Sequence, residues 1–319
     1  MAILVVAVVV LWIFKPWVPE VELSAPGRTG RRVVERGLFA NYFPMRGTRG
    51  GPGVVLLGGS EGGIGSETTR EAKALQSQGF SVLAPSYFGA PGQLGQLELI
   101  PLETFDRAIA WLRAQPEVDP ARLAIVGASK GAEAALVVAT RHPELRAVVA
   151  ASGSSDVWVG INWNKLKSGS SWTANGKPLP NLPFGPFRWS TLTGKIGHFY
   201  VDGLKKRSTY PDAAIPVERI KAGVLLVCGE SDTLWPSCVM SRLDKERAPS
   251  IQVLSYPYAG HEIFGPPLAS GDAAYRHLAR WGGTNAGNNA ARAEAWPKIV
   301  QFLRTQLLVP TGDQVVTGS

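Results

Sequence analysis

Short apolar runs alternate along the chain with stretches whose apolar positions recur every three or four residues. Residues 54–57, 80–85, 123–126, 147–151, 224–228 and 251–256 are such runs, and they read as strands. Their apolar positions are continuous rather than alternating, which suits strands buried on both faces of a parallel sheet. Residues 33–43 read as early antiparallel strands or a hairpin. Helical spacing predicts helices over 67–78 (closed by Gly79), 101–115, 132–141, 235–247 and 294–307. In 101–115, Leu102, Phe105, Ile109 and Leu112 share one face, and Pro101 fits a first helical turn. Strand alternating with helix predicts an α/β chain with a mostly parallel, doubly wound sheet. No internal repeat interrupts the pattern.

The strand at 123–126 runs directly into Gly127-Ala128-Ser129-Lys130-Gly131 and then a helix. This fits G-x-S-x-G, a sharp strand-to-helix turn that pushes a serine Oγ out of the backbone. At positions 127 and 131 a Cβ would clash where strand and helix approach, so glycine is required. The helix start also leaves unpaired N–H groups beside Ser129, suited to a developing oxyanion.

Serine needs a base, and the base needs an orienting acid. The strand at 224–228 is followed at once by Gly229-Glu230-Ser231-Asp232, which puts Asp232 at the carboxyl end of a strand. The strand at 251–256 leads through Pro257-Tyr258-Ala259-Gly260 to His261. Serine, then aspartate, then histidine is the chain order of α/β-hydrolases. Glu230 is a rival to Asp232, and so is Asp156, which follows the strand at 147–151. Among four histidines, His142 ends the nucleophile helix, and His198 and His277 have no strand ahead of them. The expected catalytic residues are therefore Ser129, Asp232 and His261.

The oxyanion donors are expected to be the backbone N–H of Lys130 and one N–H from the loop after strand 54–57. That loop is Gly58-Gly59-Ser60-Glu61-Gly62-Gly63, and Ser60 and Glu61 are equal candidates. The loop lacks the Lys-Ser/Thr of a phosphate-binding loop and the G-x-G-x-x-G spacing, which argues against nucleotide binding. No metal or redox cofactor is expected.

The aromatic-rich stretch 158–217 reads as an insert after the sixth strand. Trp158, Trp163, Trp172, Phe184, Phe187, Trp189, Phe199 and Tyr200 sit there among many Pro, Gly and Ser. It is either a lid lining an acyl pocket or a small core of its own. A second loop, 266–289, is expected to frame the pocket entrance, and 310–319 reads as a disordered tail.

A net charge of +8 suits a polyanionic substrate, an anionic membrane surface or simply a basic solvated face. No basic run interleaved with aromatics points to nucleic acid. The two cysteines, Cys228 and Cys238, form no metal-ligand pattern or disulfide framework, and Cys228 is expected as a small buried hydrophobe. Residues 2–14 are apolar and end at Lys15-Pro16-Trp17. They predict a short membrane anchor (1–18), with the basic residues after it placing the remainder, 19–309, on the cytoplasmic side.

Several phrases extend these signals. They are Leu56-Leu-Gly-Gly-Ser-Glu-Gly-Gly63, Leu83-Ala-Pro-Ser-Tyr-Phe88, Ile100-Pro-Leu-Glu-Thr-Phe105 and Val126-Gly-Ala-Ser-Lys-Gly131. Further on come Ser170-Ser-Trp172, Gly176-Lys-Pro-Leu-Pro180, Asp232-Thr-Leu-Trp-Pro-Ser237, Gly260-His261, Gly282-Gly-Thr284 and Trp296-Pro297. Together they resemble the catalytic domain of the acyl-CoA thioesterase and bile acid-CoA:amino acid N-acyltransferase family over about residues 33–308. The resemblance implies an α/β-hydrolase fold, the Ser129, Asp232, His261 triad and an acyl-CoA or related acyl ester as substrate. Two departures are expected to matter. The N-terminal β-sandwich domain usual in the family is not expected ahead of the first strand. The acyltransferase branch carries cysteine where Ser129 stands, which favours hydrolysis. Acyl-CoA hydrolysis therefore leads, ahead of a carboxylesterase or lipase-like activity, an N-acyltransferase and a non-catalytic membrane-tethered binding protein. If CoA is the leaving group, the Lys130 side chain is a candidate to meet its phosphates.

Overall fold

The computed structural model describes residues 20–308 except Arg36 and Leu166. Its main sheet has eight strands: β1 (Arg31–Glu35), β2 (Leu38–Phe43), β3 (Gly51–Leu57), β4 (Ser81–Ser86), β5 (Val118–Ala128), β6 (Leu145–Ala151), β7 (Gly223–Gly229) and β8 (Gln252–Tyr256). They lie in the order β1-β2-β4-β3-β5-β6-β7-β8. β1 and β2 pair antiparallel, as do β2 and β4, and every later pairing is parallel.

The central strands are apolar on both sides because both sides are covered. Val55, Ile125, Val148 and Leu226 point into one core, with Phe105 and Ile109 of α2 (Glu103–Arg113) and Ala135 and Leu136 of α3 (Lys130–Ala139). Val54, Val126, Val149 and Val227 point into the other, with Ala72 and Leu75 of α1 (Ser66–Ser77) and Trp296, Ile299 and Leu303 of a long C-terminal helix. Successive residues of one strand thus face opposite cores, as the pleat requires. The doubly wound sheet expected from the sequence is the fold observed.

The 152–222 segment between β6 and β7 carries short strands at Trp172–Ala174 and Lys177–Pro178, which form a small second sheet with Ile100–Pro101. It also carries helix α4 (Gly197–Leu204). Trp158, Leu182, Tyr200 and Ala213 build a core of its own, closed by Trp235 and by Met240 of α5 (Ser237–Arg247). Phe187 and Trp189 stay outside that core, 57% and 81% exposed. Of the two expectations for the insert, the small core accounts for Trp158, Phe184 and Tyr200.

The last helix, α6, spans Asn285–Leu308 and begins well before the predicted 294. Its polar first turns look like loop in sequence. Asn288 and Asn289 instead reach back to the carbonyls of Gly282 and Leu268, fastening the 266–284 loop to the helix.

Two expectations change here. Cys228 is buried as expected, but it is not a lone thiol: it is disulfide-bonded to Cys238. Sequence separation conceals this pairing, because the turn at 229–237 brings the end of β7 beside the first turn of α5. The apolar leader and the 310–319 tail lie outside the described residues. Among the described residues no helix is long and apolar enough to cross a membrane. Even the longest, α6, carries Arg292, Glu294, Lys298 and Arg304, charges that a bilayer core would strand. The expectation of a membrane-anchored, cytoplasm-facing protein is withdrawn.

Candidate active site

Ser129 stands between β5 and α3 at φ +55° and ψ −122°, a backbone conformation costly for any residue with a Cβ. Neighbouring backbones hold it there. Its N–H donates to the Ala151 carbonyl at the end of β6. A Cβ at Gly127 would lie 2.2 Å from the Gly131 carbonyl oxygen, and one at Gly131 would lie 2.1 Å from that of Gly58. The second contact seats the elbow directly on the loop after β3.

Asp232 follows β7 and His261 follows β8. Asp232 Oδ2 lies 2.8 Å from His261 Nδ1 and also accepts from Ser237 Oγ at 2.7 Å. Its Oδ1 accepts the N–H groups of Leu234 and Trp235. Four donors thus fix one carboxylate. The rival acids are engaged elsewhere: Glu230 pairs with Arg242, and Asp156 is buried against Arg207 and Ser155. His142 lies between Asp106 and Glu144, while His198 and His277 occupy the insert and a short turn at Ala273–His277.

His261 is buried, with Trp235 packed edge-on at 5.9 Å. Ser152 Oγ donates to its carbonyl, and Trp235 Nε1 donates to the carbonyl of Ser152. Ser129 is thus tied to residue 151 and His261 to residue 152, so both are anchored at the end of β6. Nε2 of His261 is shielded from solvent and makes no hydrogen bond among the described residues. Burial works to lower the proton affinity of the imidazole. The charge and hydrogen bond of Asp232, with Glu262 and Glu61 further off, outweigh it and raise the pKa above the ordinary histidine value. This arrangement can pass a proton from a hydroxyl to a buried imidazole and hold the resulting imidazolium.

The two candidate oxyanion contributors from the loop after β3 differ. Ser60 and Glu61 are both exposed, but the Glu61 carboxylate folds back to accept the Gly59 N–H at 2.8 Å and also takes its own backbone N–H. The Tyr87 hydroxyl, beyond the end of β4, reaches the carbonyls of Gly58 and Gly59 and braces the loop.

Lys130 departs from expectation. Its backbone lies directly after the nucleophile, but its side chain is 1% exposed and points into the protein. Nζ contacts Glu133 Oε2 at 2.7 Å and Ser171 Oγ at 2.8 Å. Glu133 Oε1 accepts from the Trp158 backbone and from Trp172 Nε1. A lysine so enclosed cannot meet CoA phosphates, because α3 is buried all round under the insert.

Sequence reasoning did not assign Ser237, Trp235, Ser152, Tyr87 or Glu133. Ser237 and Trp235 lay within a motif already singled out around Asp232. Ser152 and Tyr87 follow the ends of β6 and β4, and only the sheet order gives such loop residues a neighbour.

The family model described as BAAT / Acyl-CoA thioester hydrolase C terminal matches residues 100–309. Human acyl-coenzyme A thioesterase 1 is 30% identical over 270 residues, 80% of this chain and 60% of that protein. The chain therefore spans less than two thirds of that relative. Mouse bile acid-CoA:amino acid N-acyltransferase is 29% identical over 303 residues, 91% of this chain and 68% of that protein. A solved dienelactone hydrolase-like promiscuous phosphotriesterase from metagenomic libraries superposes with a TM-score of 0.56 at 18% identity, covering 87% of this chain and 98% of its own. That likeness identifies the fold as an α/β-hydrolase.

Proposed function

Because the chain belongs to the BAAT / acyl-CoA thioester hydrolase C-terminal family, we propose that it is a serine hydrolase that cleaves acyl-CoA thioesters to free acid and CoA. The observation that carries this reading is the Asp232–His261 hydrogen bond at 2.8 Å, with a buried Nε2 that has no partner among the described residues, and with His261 and the strained Ser129 turn anchored at adjacent residues after β6.

Ser129 Oγ attacks the acyl carbonyl while His261 Nε2 takes its proton. Asp232, held by Ser237 and two backbone N–H groups, keeps the proton on Nδ1 and stabilises the imidazolium. The oxyanion is received by the Lys130 N–H and a donor from the loop after β3. Between the loop candidates, the turn of the Glu61 N–H onto its own carboxylate favours Ser60. The imidazolium then protonates the departing CoA sulfur, and His261 activates water against the acyl-enzyme.

Hydrolysis is preferred to transfer because position 129 is serine. An alkoxide-derived ester is left to water more readily than a thioester is. A carboxylesterase using the same three residues is the second reading, since none of them selects sulfur over oxygen in the leaving group. The test is a hydrolysis panel on purified protein, with acyl-CoAs set against p-nitrophenyl esters of matched chain length. Higher kcat/KM for the acyl-CoAs supports the thioesterase; preference for the esters overturns it in favour of the carboxylesterase.

A further inference from the structure

One charged side chain beside Ser129 takes no part in these steps. A Cβ built on Gly59 would stand 3.3 Å from Ser129 Cβ and 2.8 Å from Glu61 Oε2. Nucleophile and carboxylate therefore flank the same small space at the Gly59 amide. The other oxygen of Glu61 accepts that amide at 2.8 Å. Glu61 also lines a small cleft with Ser60, Phe88, Leu97, Ile161 and Trp163. Among the described residues no salt bridge reaches Glu61; Glu262 and Glu67 add like charge around it, and His261 is the cation-forming group that feels its field.

The charge that Glu61 meets differs along the reaction. During acylation the serine proton moves to His261 as the carbonyl oxygen becomes anionic, so the reacting groups gain no net charge. The acylated serine is again neutral. Deacylation breaks a water O–H bond, passes the proton to His261 and returns it to Ser129 Oγ as the acyl–oxygen bond breaks. The acid so released ionises near neutral pH, and only then does a net negative charge stand beside Glu61. Two like charges a few ångströms apart repel by more than RT even at an effective dielectric constant of about 20.

We propose that Glu61 is a specificity residue that discriminates by charge: it admits neutral acyl carbonyls to Ser129 and repels the carboxylate product. The assignment rests on Ser129 handling acyl groups, but not on which leaving group they carry. Desolvation of the carboxyl where it folds onto the Gly59 amide, with Glu262 and Glu67 beside it, raises its pKa above the ordinary value in an otherwise exposed residue, so an alkaline buffer ensures that it is charged.

Isothermal titration of the whole chain with decanoate and with decanamide in alkaline buffer tests the proposal without requiring turnover. The wild type should bind decanamide about tenfold more tightly than decanoate. Glu61→Gln keeps an oxygen for the Gly59 N–H and removes the charge, and it should tighten decanoate until the two ligands bind within about threefold. Glu61→Gly provides a second charge-free variant with the same expectation. Equal binding of both ligands by the wild type, no binding of either, or equal tightening of both in the variants would overturn it. Loss of acyl-CoA hydrolysis with the amide preference intact would sink only the substrate assignment.

Discussion

The Lys130–Glu133 and Asp232–His261 pairs lie just beyond the ends of β5 and β7–β8, with contacts of 2.7 and 2.8 Å. In both a carboxylate meets a nitrogen base away from water. In the first, both carboxylate oxygens are occupied, and the ammonium has Ser171 as well as Glu133. Burial drives Lys130 down and Glu133 up in pKa, and their mutual charge and hydrogen bonds oppose that pull. In the second pair the carboxylate is equally well supplied, but the imidazole keeps one nitrogen without a partner. Completeness separates them. A buried pair whose carboxylate and ammonium are both engaged holds structure together, whereas one whose imidazole keeps an open acceptor can take a proton.

Breaking each pair should therefore fail in a different way. The largest effect is expected at the residue we propose as the nucleophile. Ser129→Ala removes the proton donor and should lower kcat by about a millionfold, judging from a comparable serine triad, with fluorophosphonate labelling lost and the melting temperature kept. Retention of a tenth of the wild-type kcat would remove Ser129 from the mechanism. Asp232→Asn comes next, with a fall in kcat of about 10⁴-fold, because the amide favours the wrong histidine tautomer. A mild loss there beside a severe one in Asp156→Asn would move the acid to β6.

Lys130→Met leaves Glu133 buried without its charge partner. It should cost about 3–5 kcal/mol in urea unfolding, partly recovered by adding Glu133→Leu. Equal stability of the single variant and the wild type would show that the pair is not structural. Replacing Cys228 and Cys238 together by serine opens a ring whose ends are 10 residues apart around the acid turn. About 2–3 kcal/mol of stability should go with it.

The smallest effect concerns pH. The base must be neutral to accept a proton, and its pKa is raised, so kcat/KM should fall as pH drops through a value above the ordinary histidine range. Asp232→Asn should move that acid limb downward, because the charge that raises it is gone. An unmoved limb in the residual activity of that variant would assign the titration to another group.

These two pairs also mark how far the sequence could be read. The placement of Ser129 on its turn and of Asp232 beside His261 was legible because each follows an apolar run, and the run fixes where the following residue emerges. The strands themselves were legible for the same reason, short of their polar ends: β5 begins at Val118, where Asp119 and Arg122 interrupt the apolar pattern. Lys130 was misread because nothing in its local sequence reveals Ser171 and Trp172 folding over it from a segment some forty residues on. The Cys228–Cys238 bond and the early start of α6 share that cause. Each depends on a turn or a loop whose partner is known only once the sheet is assembled.

The way Glu133 binds the insert bears on how this scaffold could be redesigned. The segment at 152–222 leaves β6 and returns at β7, neighbours in parallel register, so its two ends sit like those of an exchangeable cassette. Trading it for another would look like a simple way to alter which acyl chains are accepted. But the cassette carries the Trp158 amide, the Trp172 indole and the Ser171 hydroxyl that quiet the charges of Lys130 and Glu133. A graft without those groups would strand two ions beneath the nucleophile turn. Either the replacement must bring equivalent donors and acceptors, or both positions must be made apolar in the same step.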